Sequence, residues 1–424
     1  MCIKTKRQKM ERRVVITGTG VISPVGQNTE SFWSALKAGV CGISKLDRFP
    51  EAGLNVKVAG LVHDFDPTQH GLTVKEAKRN DLYAQYAMAA ADEAVRMSGL
   101  ESGVNIDPFR FGVYLGSGIG GMETFIDQCR VCDNEGADRV SPLFIPKMIS
   151  NIAGGNIAIR YNAEGPCLTV VSACATGTNA IGEAFRAVQH GYCDAIIAGG
   201  AEAVINPLAI GGFASAKALT LSDDPMRASI PFNAKRSGFV MAEGGAVLIL
   251  EELEHAVARG ANIIAEVTGY GNTCDAHHAT APRPDGLAAS AAMKMALEQS
   301  GYKAGEALYI NAHGTSTMLN DKTETLAIKL ALGEEDAKNA SVSSTKSMHG
   351  HMFGATGAIE LIASALALKD GVVPPTIGLD EADPLCDLDY TPNVARERAL
   401  DVALSNSLGF GGHNACVALR KYNA

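Results

Sequence analysis

Four segments of the chain carry side chains able to do chemistry. Cys174 lies in LTVVSACATGTNAIGEAF, between a β-branched run and a helical pattern. A thiol at a helix start meets unpaired amide N–H groups and the positive end of the helix dipole. Both favour thiolate, so the expectation is a nucleophile with a lowered pKa. The small neighbours Ala173, Ala175, Gly177 and Thr178 leave room for a substrate. The same residue could instead be one of ten cysteines packed as a small hydrophobe. His313, in LYINAHGTSTMLND, follows a strand-like run. It can donate to a carbonyl oxygen while the hydroxyls after it bind an amide-rich arm, or it can be an ordinary satisfied core histidine. In SSTKSMHGHMFGATGAIE, Lys346, His349 and His351 precede a helix that contains Glu360, a carboxylate that gives a buried lysine its reason. The last segment, SNSLGFGGHN, is a Gly-rich loop whose amides can face a ligand, or a plain strand-to-strand turn.

These segments need a frame, and the pattern supplies one. RRVVITGTGVIS, FRFGVYLGSG, CLTVVSAC, DAIIAGGAEAV and GGAVLILEEL read as strands by β-branched content and Gly punctuation. ESFWSALKAG, AQYAMAAADEAVRMSG and ATGTNAIGEAFRAVQHG read as helices by apolar spacing and terminal Gly. The alternation predicts an α/β architecture. The second half echoes the first in order: VITGTGVIS by EVTGYGNTC, CLTVVSACATGTNAIGEAFRAV by ASVSSTKSMHGHMFGATGAIELIASALAL, and GFVMAEGGAVLILEE by GFGGHNACVALRK. A duplicated α/β unit is expected, with halves 1–262 and 263–424.

Composition excludes several classes. With 424 residues, 46% hydrophobic and 20% charged, the chain is long and apolar enough for a large double-layered core. A net charge of −9 argues against nucleic acid as the main partner. No apolar run reaches the roughly eighteen residues of a membrane span, so no membrane association is expected. The start, MCIKTKRQKMERR, lacks the apolar stretch of a secretory signal and reads as a solvated arm. Scattered cysteines, with Cys129 and Cys132 as the only close pair, favour reduced thiols in a cytoplasm. VVITGTGVISPVG opens like a dinucleotide fingerprint, but Ser23 takes the third glycine position, so a tight turn is expected there. TVKEAKRNDLYAQYAMAAADEAV has helical spacing and carries Lys75, Lys78 and Arg79, by itself an ordinary solvated face.

Taken together, VITGTGVISPVG, GSGIGG, SACATGTNAIGEA, NAHGTSTMLND, STKSMHGHMFGATGA and NSLGFGGHN resemble, in order, the β-ketoacyl-[acyl-carrier-protein] synthases, most closely the synthase II type. The resemblance runs from about Arg12 to Arg420. It implies a thiolase-like fold of five αβαβα layers, a cytoplasmic homodimer and an acyl carrier protein as partner. It implies decarboxylative condensation of malonyl-carrier with an acyl group on Cys174, elongating a fatty acyl chain by two carbons. Cys174 matches the acylated nucleophile, His313 and His351 the two histidines, and Lys346 the supporting lysine. Phe410 matches the gatekeeper, and the amides of Cys174 and Phe410 match the oxyanion hole. Thr315 and Thr317 would grip the pantetheine, with Ile119 and Phe213 also binding substrate. Lys75, Lys78, Arg79 and Lys217 would dock the carrier. No cofactor is required; a structural Na+ or K+ is implied at Asn311, Ala312, Glu360, Ser405 and Asn406.

The chain departs from the common pattern at Leu408, His413, His349, Met352 and Phe353, which touches gating and chain-length preference but no catalytic group. A non-catalytic partner subunit would replace the cysteine, and a thiolase would carry a second cysteine where Phe410 stands. A type II polyketide ketosynthase, and specificity of the synthase I type, remain alternatives.

Overall fold

A computed structural model describes residues 12–423. Most of the basic arm, residues 1–11, lies outside the described residues. Its last two members, Arg12 and Arg13, pair with Asp194 at 2.7 Å and with Glu266 at 2.6 Å.

The strands of the first part are β1 (Val14–Ile22), β2 (Ile43–Lys45), β3 (Val58–Gly60), β4 (Phe111–Gly116), β5 (Cys167–Leu168), β6 (Ala195–Glu202) and β7 (Gly244–Glu252). Then follow β8 (Ala265–Cys274), β9 (Leu308–Asn311), β10 (Ser341–Ser343), β11 (Val372–Val373), β12 (Arg396–Glu397), β13 (Val402–Gly409) and β14 (His413–Arg420). Ten of them form one sheet in the order β10-β9-β13-β14-β8-β1-β7-β6-β4-β5, which reads the same from its centre outward. On each side two antiparallel pairings are followed by two parallel ones. The two sides meet only where β1 and β8 pair over Val14–Ile16.

Helices fill the layers. Helix Leu82–Ser98 packs on β1, β6 and β7, and helix Leu287–Ser300 on β8 and β14. Between the two half-sheets lie helices Thr176–Gln189 and Thr356–Asp370, packed on each other. The second of these is buried at every position from Thr356 to Leu368, because its sequence is apolar or small all round apart from Glu360, which is paired with Lys346. The layers run helix, sheet, helix, sheet, helix, as the resemblance implies.

The Gly-x-Gly echo has a packing cause. A Cβ at Gly18 or Gly20 of β1 would run into the carbonyl oxygens of Ala94 and Ala90. At Gly269 and Gly271 of β8 it would run into those of Ala296 and Ala292. Each pair of glycines lets an alanine-rich helix lie directly on its strand, and the tight turn expected at Ser23 follows β1, where Ser23 and Gly26 exchange backbone hydrogen bonds of 2.8 and 3.3 Å.

Two local expectations are corrected. CLTVVSAC reads as a buried strand, yet only Cys167 and Leu168 pair, and both are exposed. β5 is the sheet edge, with a strand neighbour on one side only. The stretch from Thr73 reads as one helix but breaks into Val74–Arg79 and Leu82–Ser98. Asn80 takes an extended backbone and Asp81 caps the second helix through the Tyr83 amide.

Candidate active site

Two equivalent turns, one from each half of the sheet, build the site. Each enters a central helix through a short 3-10 turn, Ala173–Ala175 before Thr176 and Phe353–Ala355 before Thr356. Ala173 and Phe353 both hold left-handed backbone, φ +50° and +46°, which side-chain-bearing residues adopt at a cost. In this register Cys174 of one turn answers to Gly354 of the other.

Cys174 is half-buried and lines a cavity of about 400 Å³. Burial pushes its thiol up to about 11, while Lys346 and the backbone amides of Phe410 and Cys174 pull it down without prevailing. The expectation of a lowered pKa is thus reversed, because the enclosure that leaves room for a substrate also strips water from the sulfur. Gly409 explains how the Phe410 amide comes so near. Its own Cβ would stand 2.8 Å from the Ser172 carbonyl oxygen and 3.3 Å from the Cys174 nitrogen, so only glycine lets the loop lie on the nucleophile turn.

His313 and His351 line the same cavity, are almost wholly buried, and meet edge to face with ring centroids 5.6 Å apart. His351 Nδ1 bonds Thr356 Oγ1 at 2.9 Å. His313 Nδ1 and His351 Nε2 have no protein partner. Burial first, then the Lys346 ammonium, holds both imidazoles well below the usual histidine range, so they are neutral. Lys346 itself is buried and donates to Glu360 Oε1 at 2.5 Å. Burial pushes Glu360 up to about 8 against the pull of Lys346.

Thr315 and Thr317 line the cavity with their hydroxyls 3.0 Å apart. Ile119, Phe213 and the exposed Lys217 line it too. Lys75, Lys78 and Arg79 are exposed on helix Val74–Arg79 and do not line it. Asn311 and Ser405 are register partners on β9 and β13, with Asn406 next. Asn311 Nδ2 donates to the Glu360 carbonyl oxygen at 3.2 Å. Asn311 Oδ1, Ser405 Oγ, Asn406 Oδ1 and Glu360 Oε2 are buried without partners. Ala312, the residue after Asn311, is buried beside them.

The departures from the common pattern separate. His349 does not reach the cavity: its Nδ1 donates to the Gly350 carbonyl at 2.7 Å and its Nε2 accepts from Thr345 Oγ1 at 3.0 Å. Burial takes it down to about 3. Met352 is core and His413 opens β14 outside the lining, whereas Leu408 and Phe353 are in it.

Three residues went unnoticed in the sequence. Glu202 is wholly buried at the cavity wall and accepts from Ser117 Oγ at 2.8 Å and from the amides of Gly118, Ile119 and Gly354 at 2.8, 3.2 and 3.1 Å. Glu324 does the same for the other half, taking the amides of His313 and Gly314 at 2.7 and 2.8 Å. Neither has a local signal: the donors to Glu202 lie 83 or more residues away, and Glu324 reaches back ten and eleven residues to the loop before its helix. Phe239, edge-on to His351 at 5.2 Å, had one: the GF of GFVMAEGG echoes the GF of GFGGHN.

Among the described residues no helix is long and apolar enough to cross a membrane, and no group of three or more His, Cys, Asp or Glu is placed to hold a metal ion. Residues 11–256 match the β-ketoacyl synthase N-terminal domain and residues 264–380 the corresponding C-terminal domain. A 3-oxoacyl-[acyl-carrier-protein] synthase 2 of Synechocystis sp. is 50% identical over 97% of this chain and 99% of its own length. One of Staphylococcus aureus is 49% identical over the same shares. Among solved structures, a type II polyketide ketosynthase bound to a hexaketide, in complex with its acyl carrier protein, aligns with TM-score 0.89 at 34% identity, over 97% of this chain and all of that one. A β-ketoacyl synthase of Burkholderia phymatum aligns with TM-score 0.90 at 32% identity over the same shares. A cavity holding a thiol, two neutral histidines and a glycine-rich loop therefore sits in a chain that belongs to the β-ketoacyl synthase family.

Proposed function

We propose that this chain elongates fatty acyl groups: an acyl chain moves from an acyl carrier protein to Cys174, then condenses with malonyl-carrier to give 3-oxoacyl-carrier and CO2. The observation that carries this is the convergence of Cys174, His313, His351 and the Phe410 amide on one cavity. With its pKa near 11, the thiol gives up its proton as it attacks the thioester, and the departing pantetheine thiol takes one. The amides of Cys174 and Phe410 hold the oxyanion of the tetrahedral intermediate. Thr315 and Thr317 grip the pantetheine of the malonyl-carrier, while Ile119 and Phe213 contact the acyl chain. As CO2 leaves, the histidines donate N–H bonds to the enolate oxygen. Neutral imidazole suits this step, because it stabilises the enolate and is too weak an acid to quench the carbanion. The carbanion attacks the acyl-Cys174 carbonyl, the new carbon–carbon bond forms, and the thiol is released. Burial keeps both rings neutral, and Lys346, paired with Glu360, adds to this by holding positive charge beside them.

The higher identity to synthases named for 3-oxoacyl-carrier formation than to the polyketide ketosynthase favours the fatty acyl reading. Purified enzyme, carrier protein and saturated primers of graded length, followed by product mass, tests it. Products two carbons longer and singly extended are expected; poly-β-keto products would establish the polyketide reading instead.

No cofactor enters the reaction. The partnerless oxygens of Asn311, Ser405, Asn406 and Glu360, with the Ala312 carbonyl, suit a structural Na+ or K+, because a set of mostly neutral oxygens carries too little negative charge for a divalent ion. Replacing both ions by choline should lower the melting temperature of the wild type and leave Ser405→Ala unchanged; equal melting of the wild type in all three salts would refute the site. Lys217 at the cavity and Lys75, Lys78 and Arg79 on their helix have no carboxylate partner among the described residues, which suits an acidic carrier. Charge reversal at Lys78, Arg79 and Lys217 should raise KM for acyl-carrier, as added salt should, and spare small acyl thioesters. Unchanged relative use of the two substrates would move the docking patch elsewhere. The exposed edge β5, with Leu168, Val171 and Ile159 bare around it, suits a second copy of this chain, read as a cytoplasmic homodimer of duplicated halves 1–262 and 263–424. Sedimentation of wild type and Leu168→Asp at the same monomeric mass would refute that assembly.

A further inference from the structure

Glu202 ends β6 inside the core, yet ion pairing does not explain it: among the described residues it has no cationic partner within 4.0 Å. Its charge also works against the nucleophile, since it raises the Cys174 pKa. What the carboxylate does is geometric. Oε1 accepts from Ser117 Oγ and the Ile119 amide, and Oε2 from the Gly118 and Gly354 amides. Its lone-pair directions are thus all used, by donors from two segments more than two hundred residues apart in the chain.

Both segments line one cavity, side by side. Ile119 is 41% exposed into it, and Phe353, next to Gly354, lines it with 5% exposure among Phe213, Phe239 and His351. The backbones touch across the carboxylate. A Cβ at Gly354 would stand 2.7 Å from the Gly118 nitrogen and 2.9 Å from Glu202 Oε2, so no side chain could separate them.

We propose that Glu202 is a positioning residue for acyl-chain selection, fixing the distance between Ile119 and Phe353 and so the length and shape of acyl chain the cavity accepts. This rests on the condensing reading above. Glu202→Gln tests it with nearly the same volume. One glutamine oxygen can still take the Gly118 and Gly354 amides, and the Ser117 hydroxyl can turn to accept from the new NH2. The Ile119 amide cannot turn, so it loses its acceptor and its wall is freed.

The measurement is kcat/KM for a series of saturated acyl-carrier primers, short to long, on wild type and variant. The spread between the best and worst primers of the wild type should shrink by about fivefold or more in Glu202→Gln, the scale of one unmade buried hydrogen bond. A merely structural role would lower all primers in proportion and keep the spread, which would overturn the proposal. Should Glu202→Gln fail to fold, Ser117→Ala takes its place, removing one donor to Oε1 and the acceptor of the Gly120 amide without burying a new polar group. It should shrink the spread by about twofold or more, again for lost hydrogen bonding, and an unchanged spread overturns the proposal equally. A wild type that extends no primer at all refutes the condensing reading, and is seen before any variant is compared.

Discussion

Replacing Gly409 by alanine probes the proposed oxyanion hole without touching a polar group. The added Cβ would meet the Ser172 carbonyl oxygen at 2.8 Å, the Ala175 nitrogen at 3.2 Å and the Cys174 nitrogen at 3.3 Å. All three are main-chain atoms and cannot rotate away, so the loop must retreat by about half an ångström, at about 1–3 kcal/mol of overpacking. The retreat carries the Phe410 amide away from Cys174. Complete loss of one oxyanion donor costs about 10²–10³ in rate, and a lengthened bond keeps part of that, so acyl transfer to Cys174 should slow by about 10–10²-fold. Rapid-quench mass spectrometry of the acyl-enzyme measures it, with urea unfolding as the stability control. Alkylation by iodoacetamide forms no oxyanion and should slow far less. Acyl transfer at wild-type speed, or alkylation slowed as much as acylation, would refute the assignment of the Phe410 amide.

Other outcomes follow from the buried groups. His349, held near 3, stays neutral in the folded chain while the unfolded chain takes up a proton below about 6.5. Its contribution is complete above that pH and is lost as pH falls toward 3; between about pH 7 and 5.5 the loss is about 1.2 kcal/mol. That share of the pH dependence should vanish from the urea stability of His349→Gln, and an unchanged slope would contradict a neutral buried ring. Glu360→Leu strands the Lys346 ammonium and should cost about 3–5 kcal/mol, while Lys346→Met with Glu360→Leu should regain most of the stability and none of the condensing activity. A double variant as unstable as the single one would show that the pair is not a unit.

Much of this was legible because the fold is duplicated. The echo of VITGTG by EVTGYG and that of SACATG by MFGATG pointed to a duplicated unit, and the structure puts the first pair on β1 and β8 at the centre of the sheet and the second in equivalent turns before the two central helices. What could not be read depended on position in the sheet or on long-range partners. Nothing in CLTVVSAC says that β5 is an edge. The Cys174 thiol is set by enclosure, which involves a loop more than two hundred residues later, so its local helix start gave the wrong sign. Glu202 and Glu324 look like ordinary strand-end and helix acids until their amide donors are brought to them.

The central claim is that Cys174 carries the acyl group that is then extended. Wild type and Cys174→Ala are each incubated with acyl-carrier, weighed intact, and then given malonyl-carrier. The account predicts one acyl adduct on the wild type, consumed on addition of malonyl-carrier as a product two carbons longer appears, and neither adduct nor product with Cys174→Ala. An adduct that persists in the variant, or a wild-type adduct that malonyl-carrier does not consume, would contradict it.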